Sequence, residues 1–281
     1  MVGYRALAAP AGVHRGMPSA KLTLIVSRDD GVSAAATPEA VPAAQPKPLL
    51  VGGLHVTAAH IRQQRGQAGV QLAVHPLAAR ALFDMPAAKL ESVDLDATLV
   101  MGPRGVELHE RVADARNWRE AFTVITNYLV DASRRHERAR VRPEVVFAWQ
   151  LLERSGGRAS VAAAAEAVGL SPRHLTTLFR REVGRSPKTV AMLMRFEHAT
   201  GLISESVRRR GGRVDLASVA VETGYSDQAH LSREFTRFAG TSPRRWLAEE
   251  FRNIQDGGHQ LAPDCNYDWF QSERVVDIAG P

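Results

Sequence analysis

The feature that most constrains this chain is a repeat. Residues Ala165 to Phe179, AEAVGLSPRHLTTLF, return at Ala220 to Phe235 as AVETGYSDQAHLSREF, with Gln228 as the one inserted residue. Ala165 answers Ala220, Gly169 answers Gly224, Ser171 answers Ser226, His174-Leu175 answers His230-Leu231, and Phe179 answers Phe235. Each copy reads as a short helix, a Gly turn, a Ser able to cap, and a second helix with apolar residues four apart. Two helices that cross steeply need a small residue where they touch, and the turn between them favours Gly, which accepts positive φ at no steric cost. The spacing therefore predicts two helix-turn-helix units, with Leu175/Phe179 and Leu231/Phe235 facing inward.

The residues between those apolar pairs must face outward. They are Arg173, Thr176, Thr177 and Arg180 in the first copy, and Gln228, Ala229, Ser232, Arg233 and Thr236 in the second. One such pattern is common in structural hairpins. Two in tandem, each followed by Gly-x-Ser-Pro at Gly184 to Pro187 and Gly240 to Pro243, are far more specific. On these motifs the stretch from about Arg142 to Phe251 resembles the DNA-binding domain of AraC/XylS-family bacterial transcription regulators. The resemblance implies an all-α domain in which a linker helix, here Lys188 to about Ser206, joins the units. At about 1.5 Å per residue that helix is about 28 Å long, near the 34–36 Å between successive major-groove segments on one DNA face.

The resemblance also implies roles. Arg173 or Arg233 is expected to reach guanine and Gln228 adenine, with Thr176, Thr177 and Ser232 bonding base edges or packing on thymine methyls. Thr177 is shorter than the polar side chain frequent there in the family, so the first unit is expected to read fewer bases. Arg180, Arg181, Thr236, Arg237 and Arg244 are the phosphate candidates. Charge distribution agrees: Arg134 to Arg252 holds 22 Lys/Arg against 13 Asp/Glu, while the remainder is net acidic. A basic excess alone usually means only a solvated surface; here it coincides with the duplicated motif.

The N-terminal part has another texture. Lys21 to Ser27 reads as a strand, with Leu22, Leu24 and Val26 on one face and Thr23 and Ile25 on the other. Leu49 to Thr57 and Gly69 to Val74 are further strand candidates, and the Ala/Pro-rich Ala34 to Pro48 reads as loop or irregular edge. Leu77 to Phe83 reads as a short helix, Leu90 to Leu99 as helix or loop, and Asn117 to His136 as the clearest helix of this part. The expected organisation is an α+β N-terminal domain over residues 1–133, a basic linker at 134–142, an all-α DNA-binding domain at 143–252 with Val146, Trp149 and Leu152 in the core of its first helix, and a tail at 253–281. The basic loop Arg208 to Arg213 is an additional phosphate candidate. On Gly12 to Gly16, Lys21 to Val26 and Gly69 to Leu72 the N-terminal part resembles, more loosely, a domain found ahead of such DNA-binding domains. That implies effector binding or dimerisation without naming a ligand.

Other chemistry finds little support. His55, His60, His75 and His109 lack tight ligand spacing and read as structural or surface residues; Asp29-Asp30 and Asp94/Asp96 read as turn residues. No nucleophile elbow, phosphate loop or dinucleotide fingerprint is present, so no enzyme and no cofactor is expected. Cys265 is the only cysteine, which fits a reducing cytoplasm, and no apolar run suits a signal or membrane span. Expected partners are double-stranded DNA, with RNA polymerase, a small-molecule effector and a second copy of the chain as further candidates, and no membrane. The open alternatives are an effector-gated sensor, a non-specific architectural DNA binder, and a repair methyltransferase, the last disfavoured by the position of Cys265.

Overall fold

The structure is a computed structural model, and it describes residues 1–6, 12–136, 140–210, 214–255 and 270–271. Its N-terminal part is built on antiparallel strands: β1 (Val2–Arg5), β2 (Gly12–Gly16), β3 (Leu22–Ser27), β4 (Ala34–Ala35), β5 (Leu49–Gly52), β6 (Ala59–Gln63), β7 (Ala68–Val74) and β8 (Leu95–Asp96). With β9 (Phe270–Gln271) they form a six-stranded sheet in the order β8-β5-β3-β7-β1-β9 and a three-stranded sheet in the order β2-β6-β4. Of the expected tail, Phe270 and Gln271 do dock back, pairing with Gly3 and Val2; Trp269, Cys265 and the rest of the stretch beyond Gln255 lie outside the described residues.

Alternation decides what each face of β3 does. Leu22, Leu24 and Val26 are fully buried in the main core, whereas Ile25 joins Val32, Ala34 and Leu50 in a second, smaller apolar cluster on the opposite face. The registers Leu24↔Val51 and Leu24↔Leu72 stack apolar residues across three strands on the first face. Helices cover that face: α1 (Ala79–Phe83), α2 (Thr98–Met101), α3 (Pro103–Ala113) and α4 (Trp118–Arg135). Asn117 caps α4 by accepting from the Glu120 amide, and Phe122, Ile125 and Leu129 bury its apolar stripe.

Several boundaries differ from the sequence reading. The strand from Leu49 stops at Gly52, and Leu90 to Leu99 holds β8 and the start of α2. The Ala/Pro-rich stretch carries β4 and a 3-10 turn, Pro38–Ala43. Helix α3 and strands β1, β2 and β6 went unread because their apolar residues are sparse: the β2 residues Gly12 to Gly16 are all at least partly exposed, so no buried face marks the strand.

The C-terminal part is helical: α5 (Pro143–Arg154), α6 (Val161–Ala167), α7 (Pro172–Val183), α8 (Pro187–Arg210), α9 (Leu216–Glu222), α10 (Gln228–Ala239) and α11 (Pro243–Gln255). The buried face of α5 is Val145, Ala148, Trp149 and Leu152, so Val145 takes the core position expected for Val146, which is half-exposed. The two parts share one apolar core. His75, which accepts from the Leu77 amide at the first turn after β7, packs its ring at a tilt 5.0 Å from Trp149, and Trp149 stacks 6.4 Å from Phe179. The segment between the parts is only partly described, residues 137–139 being outside.

Candidate nucleic-acid interface

Each unit begins with a seven-residue helix, α6 or α9, and ends with a twelve-residue one, α7 or α10. The small contacts are where the repeat requires them: Ala165 and Ala220 have no exposed surface. Gly169 and Gly224 turn the chain with φ of 67° and 80°, a left-handed conformation that any other side chain would strain. Leu175 and Phe179, like Leu231 and Phe235, are fully buried.

The caps correct the alignment. Ser171 caps α7, accepting from the His174 amide at 3.2 Å, but α10 is capped by Asp227, which accepts from the His230 amide at 2.6 Å; Ser226 instead bonds the His230 ring. A carboxylate at the N-terminal end of a helix also meets the positive pole of its dipole, so Asp227 outcompetes the adjacent serine. The inserted residue therefore falls in the turn, and Gln228 starts α10 as Pro172 starts α7. Along the two helices Arg173 corresponds to Ala229, Thr177 to Arg233, and Arg180 to Thr236. The two arginines assigned to guanine thus occupy different positions on their helices.

Arg173, Thr177, Arg180 and Arg181 on α7 are exposed, as are Gln228, Arg233, Thr236 and Arg237 on α10 and Arg244 on α11; Thr176 and Ser232 are half-buried. The hydroxyls are partly engaged: Thr176 donates to the Pro172 carbonyl, Thr177 to Arg173 and Thr236 to Ser232, at 2.8–3.1 Å. These threonines keep a methyl and an acceptor lone pair on the surface, while their protons serve the helix. Of the basic loop, Gly211 to Arg213 lie outside the described residues.

Linker helix α8 has 24 residues, longer at both ends than expected. At 1.5 Å per residue it spans about 36 Å. Phe196, midway along it, packs 5.2 Å from Phe235 and 5.0 Å from Phe238, and Trp246 closes on Phe235 at 5.5 Å. Arg195 reaches the buried Glu234 at 3.7 Å and lies over the Tyr225 ring, whose hydroxyl donates to Glu234 at 2.8 Å. Burial, and then the negative Glu234, push the Tyr225 phenol far up, so it stays a donor. Tyr225 and Glu234 stand where the first unit has Leu170 and Leu178, so this polar network belongs to the second unit alone.

A second site lies in the N-terminal part. A cavity of about 520 Å³ opens between the two sheets, on the face of the larger one that carries Thr23, Ile25, Gly52 and Ala73. Small residues on this inner face, with Ala34 and Ala59 opposite, leave the space unfilled. Its wall also includes Glu197 of α8 and Trp246 of α11, so the helical part completes it. His55 lines it, its Nδ1 set 2.5 Å from the Thr57 carbonyl; burial lowers its pKa, the carbonyl opposes this, and Arg185 adds to it. The contribution of α8 and α11 to this wall carries no local signal in the sequence. Among the described residues no group of three or more His, Cys, Asp or Glu is arranged to hold a metal, and no helix is long and apolar enough to cross a membrane.

Two capped, basic-faced helices presented on one long spacer define a tandem helix-turn-helix protein. Residues 164–249 match the family model described as a helix-turn-helix domain. The arabinose operon regulatory protein of Escherichia coli is 33% identical over 102 residues, which is 36% of this chain and 33% of that protein; its Salmonella typhimurium counterpart is 33% identical over 88 residues, 31% of this chain and 29% of the other. The chain thus spans about a third of the length of the curated relatives it matches. An apo ToxT from Vibrio cholerae aligns over 88% of this chain and 96% of its own with a TM-score of 0.50 at 8% identity, a likeness of fold. The chain carries an AraC/XylS-type tandem helix-turn-helix domain behind a sheet-rich N-terminal part.

Proposed function

We propose that the chain is a sequence-specific transcription regulator whose α7 and α10 enter successive major-groove segments of one duplex. The observation that carries this reading is the pair of exposed basic helices fixed to a single spacer. Arg173 and Arg233 are suited to bidentate contact with guanine, Gln228 to adenine, and Thr176, Thr177 and Ser232 to shorter-range contacts. Arg180, Arg181, Thr236, Arg237 and Arg244 surround these helices and suit phosphates. This reading assigns no catalytic step and places the protein in the cytoplasm, with the DNA. The test is selection of randomised duplexes by the full chain at about 0.15 M salt, then anisotropy titration against scrambled DNA. A preference of about 10³-fold or more supports it, and equal affinity for every duplex would make the protein an architectural binder.

The cavity favours a second, compatible reading, in which a small effector binds between the sheets and gates DNA binding. Because Glu197 and Trp246 complete the wall, the full chain is the species to titrate; residues 1–133 alone would leave the cavity open. A ligand-dependent rise in melting temperature supports gating, and no shift across a broad metabolite panel leaves the N-terminal part as an assembly module.

A further inference from the structure

Both reading helices bury a carboxylate on the face turned away from solvent, and the two are neutralised from different places. Glu234 of α10 is held by Tyr225 and by Arg195 of α8, all within the helical part. Glu182 of α7, at 8% exposure, is held by Arg80 of α1: Arg80 Nε lies 2.7 Å from Oε1 and its terminal nitrogen 2.9 Å from Oε2. A paired guanidinium and carboxylate in this fork geometry are strongly directional, and a buried carboxylate that loses its partner is costly.

We propose that Arg80 is a positioning residue for DNA reading by the first unit, acting through Glu182. The helical part can set the angle of α10 by itself, whereas α7 depends on a counter-charge from the sheet-bearing part. Two further contacts converge on the same end of α7. Arg185 Nε donates to the Leu54 carbonyl at 2.7 Å, and Gly184 sits so close to the turn at Ala87–Lys89 that a Cβ there would lie 3.0 Å from the Ala88 Cα. Leu54 is flanked by Gly52-Gly53 and by His55, and Gly52 and His55 line the cavity. The second unit also touches the N-terminal part, through Arg15 to the Ala239 carbonyl and to Glu249, but Glu249 is 37% exposed and no buried charge depends on it. The clamp sits behind α7 and leaves Arg173, Thr177 and Arg180 exposed, so it orients the helix and does not mask it.

This inference rests on the reading of DNA by both units, and the experiment separates the two. The probe is the duplex selected by the wild-type full chain, with two derivatives in which one groove segment or the other is scrambled; the segment belonging to the second unit is the one at which Arg233→Ala loses preference. Arg80→Ala is expected to cut discrimination at the first unit's segment by about tenfold while discrimination at the other stays within about twofold. Adding Glu182→Gln, which removes the buried charge and keeps the shape, restores part of it. If Arg80→Ala does not fold, Arg80→Lys is read in the same way, with a loss of about threefold expected at the first segment only. Unchanged discrimination at the first segment, equal loss at both, or no rescue by Glu182→Gln overturns the inference. A wild-type chain with no preference for any duplex overturns the DNA reading itself, and this inference with it.

Discussion

At the scale of single residues, α7 and α10, the helices proposed to read DNA, are unequal. Arg233 projects from the second turn of α10 where α7 offers only Thr177, whose proton is committed to the Arg173 carbonyl. Replacing Arg233 by Ala is expected to cost about 1–3 kcal/mol on the selected site and to relax preference at one position; a loss of equal size on random DNA would reassign it to phosphate. Asp227 carries the cap of α10, so Asp227→Ala should destabilise the protein by about 1 kcal/mol in chemical unfolding, and Ser226→Ala by less. The reverse order would put the cap back on the serine that the repeat suggests. His55 makes a pH prediction. Its pKa in the folded chain lies below the ordinary 6.5, so its contribution to stability is complete above about pH 6.5 and is lost as pH falls toward the folded value. The melting temperature of the wild type should therefore drop more between pH 7 and pH 5 than that of His55→Gln; parallel curves would remove His55 from the account.

At the scale of elements, legibility in the sequence followed burial. Helices α7 and α10 each repeat Leu and Phe four apart against an Ala, and both pairs are fully buried, so the units stand out in the chain. Strand β3 was equally plain because its alternation separates two buried surfaces. Strands β2 and β6 were not, since their residues face the cavity or solvent, and hollow or wet surfaces impose no apolar period. The cap of α10 is hidden for a different reason: a one-residue insertion beside two adjacent cap-competent residues cannot be placed by identity alone, although the register of the helix itself follows from His230, Leu231 and Phe235. The helix dipole and the 2.6 Å bond to the His230 amide decide it for Asp227. The Arg80–Glu182 pair was invisible because its members are 102 residues apart and neither lies in a motif.

At the scale of the whole molecule, charge and geometry act together. If Arg180, Arg181, Arg237 and Arg244 neutralise phosphates, log affinity should fall steeply with log salt, and each arginine removed should flatten the slope by about 0.9; a flat dependence in the wild type would leave these side chains merely solvated. The spacer matters as much as the charges. Helix α8 has 24 residues and packs Phe196 and Arg195 against the second unit, and the proposed reading takes it as the element that sets the distance between α7 and α10. A rigid reader of this kind needs both groove segments on one face of the DNA, about 10–10.5 base pairs apart. The most direct measurement is anisotropy titration of the full chain on its selected duplex, with 5 base pairs or a full turn inserted between the two segments. The 5-base-pair insertion rotates one segment to the opposite face and should cost about 10²-fold in affinity, while the bound fraction retains the contacts of a single unit. Undiminished affinity after that insertion would contradict a bipartite reader held on one rigid spacer.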